Sequence, residues 1–402
     1  MVGLVLAIFF VIALLTNIIG PIIPEMIDSF HISLAGAGLL PFAFFIAYGV
    51  ASIPAGMLIE THGEKRMILY AFLASFAAAL AFAVTPLYGM ALASFFAIGL
   101  AMAMLQVAIN PLLRVAGGEE NYAFYSALAQ LVFGSASFLS PLLYSYLVRH
   151  LGSASDPWLR LLRSVTPPNL PWVSVYWVFA AVTLLTVLAI AGSRFPQVAR
   201  TDEERMGAWA THRKLFRSRV VRMYFASMFI YVGTEQGAAD WISKFLSTYH
   251  GYDPQSTGAA AVSWFWGLLT AGCLLSMLLL KLFDSRKVLI GSTVAATSAL
   301  TFALFGPGRI ALVAFPLVGF SISAMWPIIM SLGLNSVPEH HGAVAGILCT
   351  AFCGGAVVPV LIGRVGDAAG LRTGMLLLYL TLGWILSIGF WAKPIIANKT
   401  YD

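Results

Sequence analysis

The stretch VRMYFASMFIYVGTEQGAADWISKFL at residues 221–246 decides the fold, because it is long and apolar enough to cross a bilayer. It also carries two carboxylates, Glu235 and, five residues further on, Asp240. An ionised side chain inside a bilayer is costly, so acids at such positions usually face a water-filled cavity and belong to an ion or substrate path. The stretch therefore predicts a membrane helix that contains a functional acid.

The two acids differ in their surroundings. Asp240 has Lys244 four residues on, a spacing at which helical side chains can form an ion pair. A structural ion pair near a helix end and a functional role are therefore both open for Asp240. Glu235 has no basic residue three or four positions away on either side, which favours a functional role.

Similar apolar runs recur along the whole chain. Hydrophobic residues make up 60% of the sequence and charged residues 10%, whereas charged residues make up about 25% of ordinary soluble domains. About twelve runs approach the ~20 residues that a membrane helix needs. They predict an all-α membrane protein with twelve transmembrane helices, at residues 2–24, 35–59, 67–84, 88–113, 122–148, 172–192, 221–246, 258–282, 288–306, 310–335, 342–363 and 373–393.

Charge placement predicts the orientation of these helices. Most of the 23 Lys and Arg fall in the loops that would share one side with both termini. The positive-inside rule makes that side the cytoplasm, so we expect a multi-pass protein of a bacterial inner membrane with both termini cytoplasmic. Membrane topology also accounts for the net charge of +6, so lipids are the expected surroundings and no nucleic-acid partner is predicted. The three cysteines fall inside predicted helices, and neither a disulfide nor a metal site is expected.

The polar segment at residues 194–219 divides the chain into two halves of six helices. We predict an N-terminal bundle at residues 1–193, a cytoplasmic linker at 194–219 and a C-terminal bundle at 220–402. Gly99 precedes Gln106 by seven residues in the fourth run, and Gly319 precedes Trp326 by seven in the tenth, as expected of an internal repeat. Transporters built from such repeats bind substrate between the repeats near the bilayer midplane.

Amide side chains cluster in the helices that would line this interface. Gln106 and Asn110 share one face of the fourth helix at a spacing of four residues, and an amide supplies both donors and acceptors, as sugar hydroxyls require. Trp264 and Trp326 are candidate aromatic platforms for a sugar ring, although packing and interfacial roles are alternatives. Asn17 in the first helix fits either a substrate contact or a hydrogen bond between helices. The predicted substrate-binding residues are Asn17, Gln106, Asn110, Gln130, Glu235, Gln236, Trp264 and Trp326.

The loop after the second helix, GMLIETHGEKR at residues 56–66, resembles the loop signature of the major facilitator superfamily. In that signature a glycine-rich turn brings two helices close, and an acid with basic residues forms a breakable cytoplasmic latch. The resemblance assigns this gating latch to Glu60, Lys65 and Arg66, with Glu60 in place of the usual aspartate.

Four further motifs resemble the fucose permease branch of the superfamily, which includes fucose, glucose and galactose carriers: QVAINP at 106–111, YVGTE at 231–235, FSISAMWP at 320–327 and GGAVVP at 354–359. The resemblance covers nearly the whole chain and implies two six-helix bundles. The chain departs from the fucose type in two places. Asn17 stands where the fucose carrier has a protonatable aspartate, and Gln106 stands where it has a glutamate, so its coupling mechanism does not carry over intact.

We therefore predict a secondary-active transporter of hexoses such as glucose or galactose. It would be a monomer without a cofactor, working by alternating access. Glu235, with Asp240 and Asn17, would couple transport to Na⁺ or H⁺. The alternatives are an uncoupled sugar uniporter, an exporter of drugs or amphipathic metabolites, and a sensor that kept the fold without transporting. No arrangement typical of an enzyme is present in the sequence.

Overall fold

The structure is a computed structural model that describes residues 1–118, 122–152, 156–195 and 209–395. Within these ranges it describes no side chain for Asn110, Pro111, Arg114, Tyr122, Ala123 and His341. The described part is built of α-helices, as predicted. In the first half, span 1 is α1 (Val2–Thr16) with α2 (Ile19–Phe30), span 2 is α3 (Leu34–His62), span 3 is α4 (Glu64–Val84), span 4 is α5 (Tyr88–Gly117), span 5 is α6 (Tyr122–His150), the short α7 (Pro157–Val165) follows, and span 6 is α8 (Ser174–Gly192).

The second half repeats this order after the linker helix. The elements are α9 (Trp209–Arg217) in the linker, α10 (Arg219–Ala239) with α11 (Ile242–His250) as span 7, α12 (Ala259–Leu282) as span 8, α13 (Ser285–Phe305) as span 9, α14 (Gly308–Ile322) with α15 (Met325–Leu334) as span 10, α16 (His341–Thr350) with α17 (Gly354–Ala369) as span 11, and α18 (Leu371–Met375) with α19 (Leu377–Trp391) as span 12. The predicted fold of twelve membrane helices is confirmed.

Eleven helical segments of the described residues are individually long and apolar enough to cross a membrane. Span 7, which the sequence predicted to be apolar enough to cross, is not among these eleven segments. Arg222, Glu235 and Gln236 lower the mean hydropathy of α10. Large apolar side chains such as Leu185, Phe302 and Leu380 are 60% or more exposed, as expected of surfaces that face lipid tails.

Five spans are interrupted where the sequence predicted continuous helices, among them span 12, which breaks at Leu376 between α18 and α19. Span 1 breaks at Asn17, which ends α1, and span 7 breaks at Asp240, which ends α10. Span 10 breaks at Ser323, and span 11 passes through a short 3-10 turn at Ala351–Cys353. Broken helices are tolerated in a membrane where the freed backbone groups lie inside the protein or line a cavity. The breaks of spans 1 and 7 lie inside the protein, since Asn17 is 5% exposed and Asp240 is 2% exposed.

The loops define two faces of the molecule. We call the face with the linker and the loops at residues 63 and 283–284 the linker face, and the opposite face, with the loops at 31–33, 85–87, 251–258 and 306–307, the distal face. An even number of spans places Met1 and Ile395, the first and last described residues, on the linker face.

The two halves touch closely from the bilayer middle to the distal face. Gly20 in α2 packs on the backbone of Ala239 and Asp240, and Gly363 in α17 packs on the backbone of Leu34 in α3. The Asp367 carboxylate accepts hydrogen bonds from the backbone N–H of Leu34 and of Ala35, both at 2.8 Å, and so caps α3 from the other half. The distal side of the molecule is therefore closed.

Candidate functional site

Glu235 lies deep in span 7 with its side chain partly exposed. The Tyr231 hydroxyl, one turn earlier on α10, donates a hydrogen bond to Oε2 of Glu235, and Nε2 of Gln236 donates to Oε1 at 3.2 Å. Two α10 side chains, Tyr231 and Gln236, thus hold the Glu235 carboxylate by one hydrogen bond to each of its oxygens.

A row of aromatic rings connects the two halves at a similar depth. Trp326 of α15 lies 6.5 Å from Phe352, and Phe352 lies 5.7 Å from Tyr48 of α3, between ring centroids. Tyr48 stacks on Phe45 at 6.0 Å. The row ends beside Gln236, because the side chains of Phe45 and Gln236 both pack on Gly355.

Asn17 uses its amide to connect two helices. Its Nδ2 donates to Oγ of Ser137 in α6 at 2.7 Å, and the side chain is 5% exposed. Of the two roles that the sequence left open, the structure shows the hydrogen bond between helices. A substrate contact of Asn17 stays a prediction.

The other predicted binding residues are spread more widely. Gln236 is buried beside Glu235, and Gln106 is partly buried in α5. Gln130 is exposed, and Trp264 is 55% exposed with its ring edge against Phe138. Asn110 belongs to α5, but its side chain lies outside the described part. The structure thus brings Glu235 and Gln236 together and links Trp326 to Gln236 through the aromatic row. No described contact joins Gln130 or Trp264 to them.

The ion pair between Asp240 and Lys244 does not form among the described residues. Asp240 is 2% exposed, and its Oδ2 atom has no hydrogen-bond partner. Residues four apart face each other only on one continuous helix, whereas α10 ends at Ala239 and α11 begins at Ile242. The structural alternative for Asp240 is therefore wrong in this conformation.

The predicted latch residues lie on the linker face. Nζ of Lys65 donates to the backbone oxygens of Ala191 at 3.1 Å and Ser193 at 2.6 Å, both in the same half, while Glu60 and Arg66 are exposed. In the second half, Asp284 caps α13 and accepts hydrogen bonds from Nε and Nη2 of Arg286 at 3.1 and 3.0 Å. These hydrogen bonds from Arg286 hold the pKa of Asp284 below its ordinary value.

Several residues of this centre were not predicted from the sequence. Tyr231 was detectable, because it lies one helical turn from Glu235. Tyr48 and Phe352 carried no local signal, because only the packing of spans 2 and 11 brings their rings together. Away from this centre, Glu25 also carried no local signal: its Oε1 accepts from Tyr144 at 3.2 Å and from Gln255 of the other half at 2.7 Å. Within the described residues, no group of three His, Cys, Asp or Glu side chains is arranged to hold a metal.

The comparisons with known proteins agree on one family. The family model described as Major Facilitator Superfamily matches residues 5–359. A glucose/galactose transporter of Brucella abortus is 26% identical over 95% of this chain and 91% of the relative. The L-fucose-proton symporter of Escherichia coli is 25% identical over 92% of this chain and 87% of the relative.

Two solved structures have the same fold. The fucose transporter of Escherichia coli in its outward conformation gives a TM-score of 0.67 at 24% identity and covers 98% of both chains. A bacterial homologue of the human lysosomal transporter Spinster, inward-facing and occupied, gives 0.79 at 14% identity over 97% of this chain and 95% of that one. The resemblance predicted from the sequence motifs is confirmed.

Proposed function

Because the chain belongs to the major facilitator superfamily, whose members are transport proteins rather than enzymes, we propose that it carries a hexose such as glucose or galactose across a membrane. The glucose/galactose and fucose carriers among its relatives support this substrate class. The carrier works by alternating access, in which the two halves rock about the central site.

The observation that carries the proposal is the carboxylate of Glu235 with its two donors beside an aromatic row. A carboxylate accepts hydrogen bonds from sugar hydroxyls, and the amide of Gln236 supplies a donor and an acceptor. The aromatic rings offer flat apolar surfaces for the faces of a sugar ring. A pocket for drugs or lipids would need less hydrogen-bonding capacity than this centre provides.

Glu235 also serves as the coupling group in this proposal. It is a carboxylate deep in a span, and such acids commonly belong to ion or proton paths. Binding of H⁺ or Na⁺ neutralises its charge, and the neutral site is then free to pass through the occluded state. Asn17 and Gln106 replace the two acids of the fucose type, so Glu235 is the acid left for this role at the centre.

The linker face is the cytoplasmic face of a bacterial inner membrane in this proposal, with both chain ends inside. The excess of Lys and Arg on that face supports the orientation. Glu60, Lys65 and Arg66 latch the cytoplasmic side when the distal side is open. The carbonyl oxygens of Ala191 and Ser193 hold Lys65 when the distal side is closed. The protein acts as a monomer.

The test is uptake of radiolabelled glucose and galactose into proteoliposomes with a sodium gradient, a proton gradient or neither. Accumulation driven by one gradient supports a symporter and identifies the ion. Equilibration that depends on neither gradient would replace the symporter with a uniporter. Absence of uptake and counterflow of any hexose would refute the proposal and favour the exporter, which a panel of dyes would then test.

The variant Glu235→Gln separates coupling from binding. It removes the charge and keeps the side-chain shape, so concentrative uptake should be lost while counterflow of sugar persists. Glu339→Gln is the matched control, because Glu339 is exposed in a loop of the linker face and should transport like the wild type. Concentrative uptake that survives in the Glu235 variant would remove this residue from the coupling mechanism.

A further inference from the structure

Asp240 stands at the crossing of two broken helices from opposite halves. A Cβ atom on Gly20 would lie 2.7 Å from the carbonyl oxygen of Ala239 and 3.2 Å from Cα of Asp240, so the two backbones touch. Asp240 ends α10 as Asn17 ends α1, which gives them matching places at the breaks of spans 7 and 1. Asp240 therefore lies in the seam that closes the distal side.

The carboxyl group of Asp240 has no partner in this seam. It is 2% exposed, Oδ2 has no hydrogen-bond donor, and the group forms no ion pair among the described residues. Burying an ionised carboxylate without hydrogen-bond or ion-pair partners costs far more free energy than burying a neutral carboxyl group. Asp240 is therefore protonated, and so uncharged, whenever the distal side is closed.

The ionisable groups on the surrounding elements do not neutralise it. Lys244 of α11 is partly buried and forms no described ion pair with Asp240. Four other acids are bonded elsewhere: Glu25 with Tyr144 and Gln255, Glu235 with Tyr231 and Gln236, Asp253 with Ser256 and the backbone N–H of Gln255, and Asp367 on the N-terminus of α3. His250 lies beside Phe245 and Tyr252, and Arg372 lies over the Tyr249 ring. The remaining groups are at the surface: Asp28, His31, Arg309 and Arg364.

A proton fits this site better than a metal cation. A hard cation requires several oxygen ligands, and Asp240 has no described polar side chain bonded to it. A proton needs no further ligand and no additional space.

We propose that Asp240 is a proton-binding gate residue, and that the distal side closes only when Asp240 has taken a proton from the distal solution. Opening separates Gly20 from Asp240, admits water and returns the proton to the same side. Asp240 thereby adds a pH-sensitive gate to the transport cycle. The gate rests on the proposed alternating access, but it does not depend on which ion Glu235 couples.

The test measures distal closure directly, without sugar or an ion gradient. The three native cysteines of the full-length protein are changed to serine. Leu87 and Ile310, exposed residues on the distal side of the first and second half, are then changed to cysteine and spin-labelled. Double electron–electron resonance measures the distance between the two labels in nanodiscs from pH 5 to pH 9. The distance distribution gives the fraction of molecules that are open on the distal side. In the wild type the ratio of open to closed molecules should rise with pH, by up to about tenfold per pH unit for one proton.

Asp240→Asn and Asp240→Leu should both remain closed at high pH, because neither side chain can ionise. Two variants are used so that a folding defect in one leaves the other informative. Asp28→Asn, which removes an exposed distal carboxylate, is the control and should follow the wild type. A wild-type distance that does not change with pH, or Asp240 variants that keep the wild-type response, would overturn the proposal. Neither result would bear on hexose uptake, and a failed uptake assay would leave this measurement intact.

Discussion

Gly363→Ala should shift the transporter towards a distal-open conformation. A Cβ atom at Gly363 would lie 2.5 Å from the carbonyl oxygen of Leu34, 2.8 Å from its carbonyl carbon and 3.1 Å from Cα of Ala35. All three are backbone atoms and lie closer than 3.4 Å, the distance at which ordinary van der Waals contact of a Cβ atom begins. Helix α3 would therefore have to move its N-terminus away from α17. It cannot do so freely, because the 2.8 Å hydrogen bonds from Leu34 and Ala35 to Asp367 fasten its N-terminus to the same helix, α17.

The size of the shift follows from the cost of overpacking. An extra methyl group in a well-packed site typically costs about 1–3 kcal/mol. The contact joins opposite halves, so the cost falls on the distal-closed conformation alone. This corresponds to a shift of about 5- to 150-fold towards the open form. The distance measurement between labels at Leu87 and Ile310 reports it directly.

Two other glycines provide matched controls. A Cβ on Gly99 in α5 would clash with the carbonyl oxygen of Phe44 in α3, but both helices belong to the first half. Gly99→Ala should therefore lower thermal stability without changing the open fraction. Gly89 has no atom within 4 Å of a Cβ, so Gly89→Ala should change neither quantity. The reasoning is refuted if Gly363→Ala leaves the open fraction within twofold of the wild type, or if Gly99→Ala shifts it equally.

Three further predictions concern polar contacts. Tyr231→Phe removes a hydrogen bond to Glu235 and should alter the pH dependence of uptake while leaving expression unchanged; an unaltered pH profile would argue against this contact. Asn17→Ala and Ser137→Ala should each destabilise the protein. In a double-mutant cycle measured by thermal unfolding, the two substitutions should show a coupling energy of about 0.5–3 kcal/mol. Purely additive effects would show that the hydrogen bond between Asn17 and Ser137 does not contribute to stability. Asp284→Asn keeps the helix cap but loses the ion pair, whose two side chains are 28% and 42% exposed, so it should cost about 0.5–1 kcal/mol at neutral pH. Because the pKa of Asp284 is lowered in the folded protein, this stabilisation is present above the ordinary aspartate pKa and is lost as the pH falls through the lowered value; a penalty that persists in acid would contradict the assignment.

Much of the site was accessible from the sequence because its signals are local. Glu235 was identified by its place in an apolar run, and Gln236 follows it directly. Trp326 was found by its position in the internal repeat. The structure adds that Trp326 connects to Gln236, the neighbour of Glu235, through Phe352, Tyr48 and Phe45, rings that carry no pattern of their own.

The sequence by itself determined the membrane architecture, since a run of about 20 apolar residues must span the bilayer whatever its neighbours do. It also determined the family and the central acid. The tertiary structure alone decided where spans break and which residues meet across the halves. Helical spacing paired Asp240 with Lys244, but the break after Ala239 separates them and leaves Asp240 buried against Gly20. Glu25 meets Gln255, and Asp367 caps Leu34, across more than 200 residues of chain. No local pattern encodes such contacts, because they form only when the two halves close on each other.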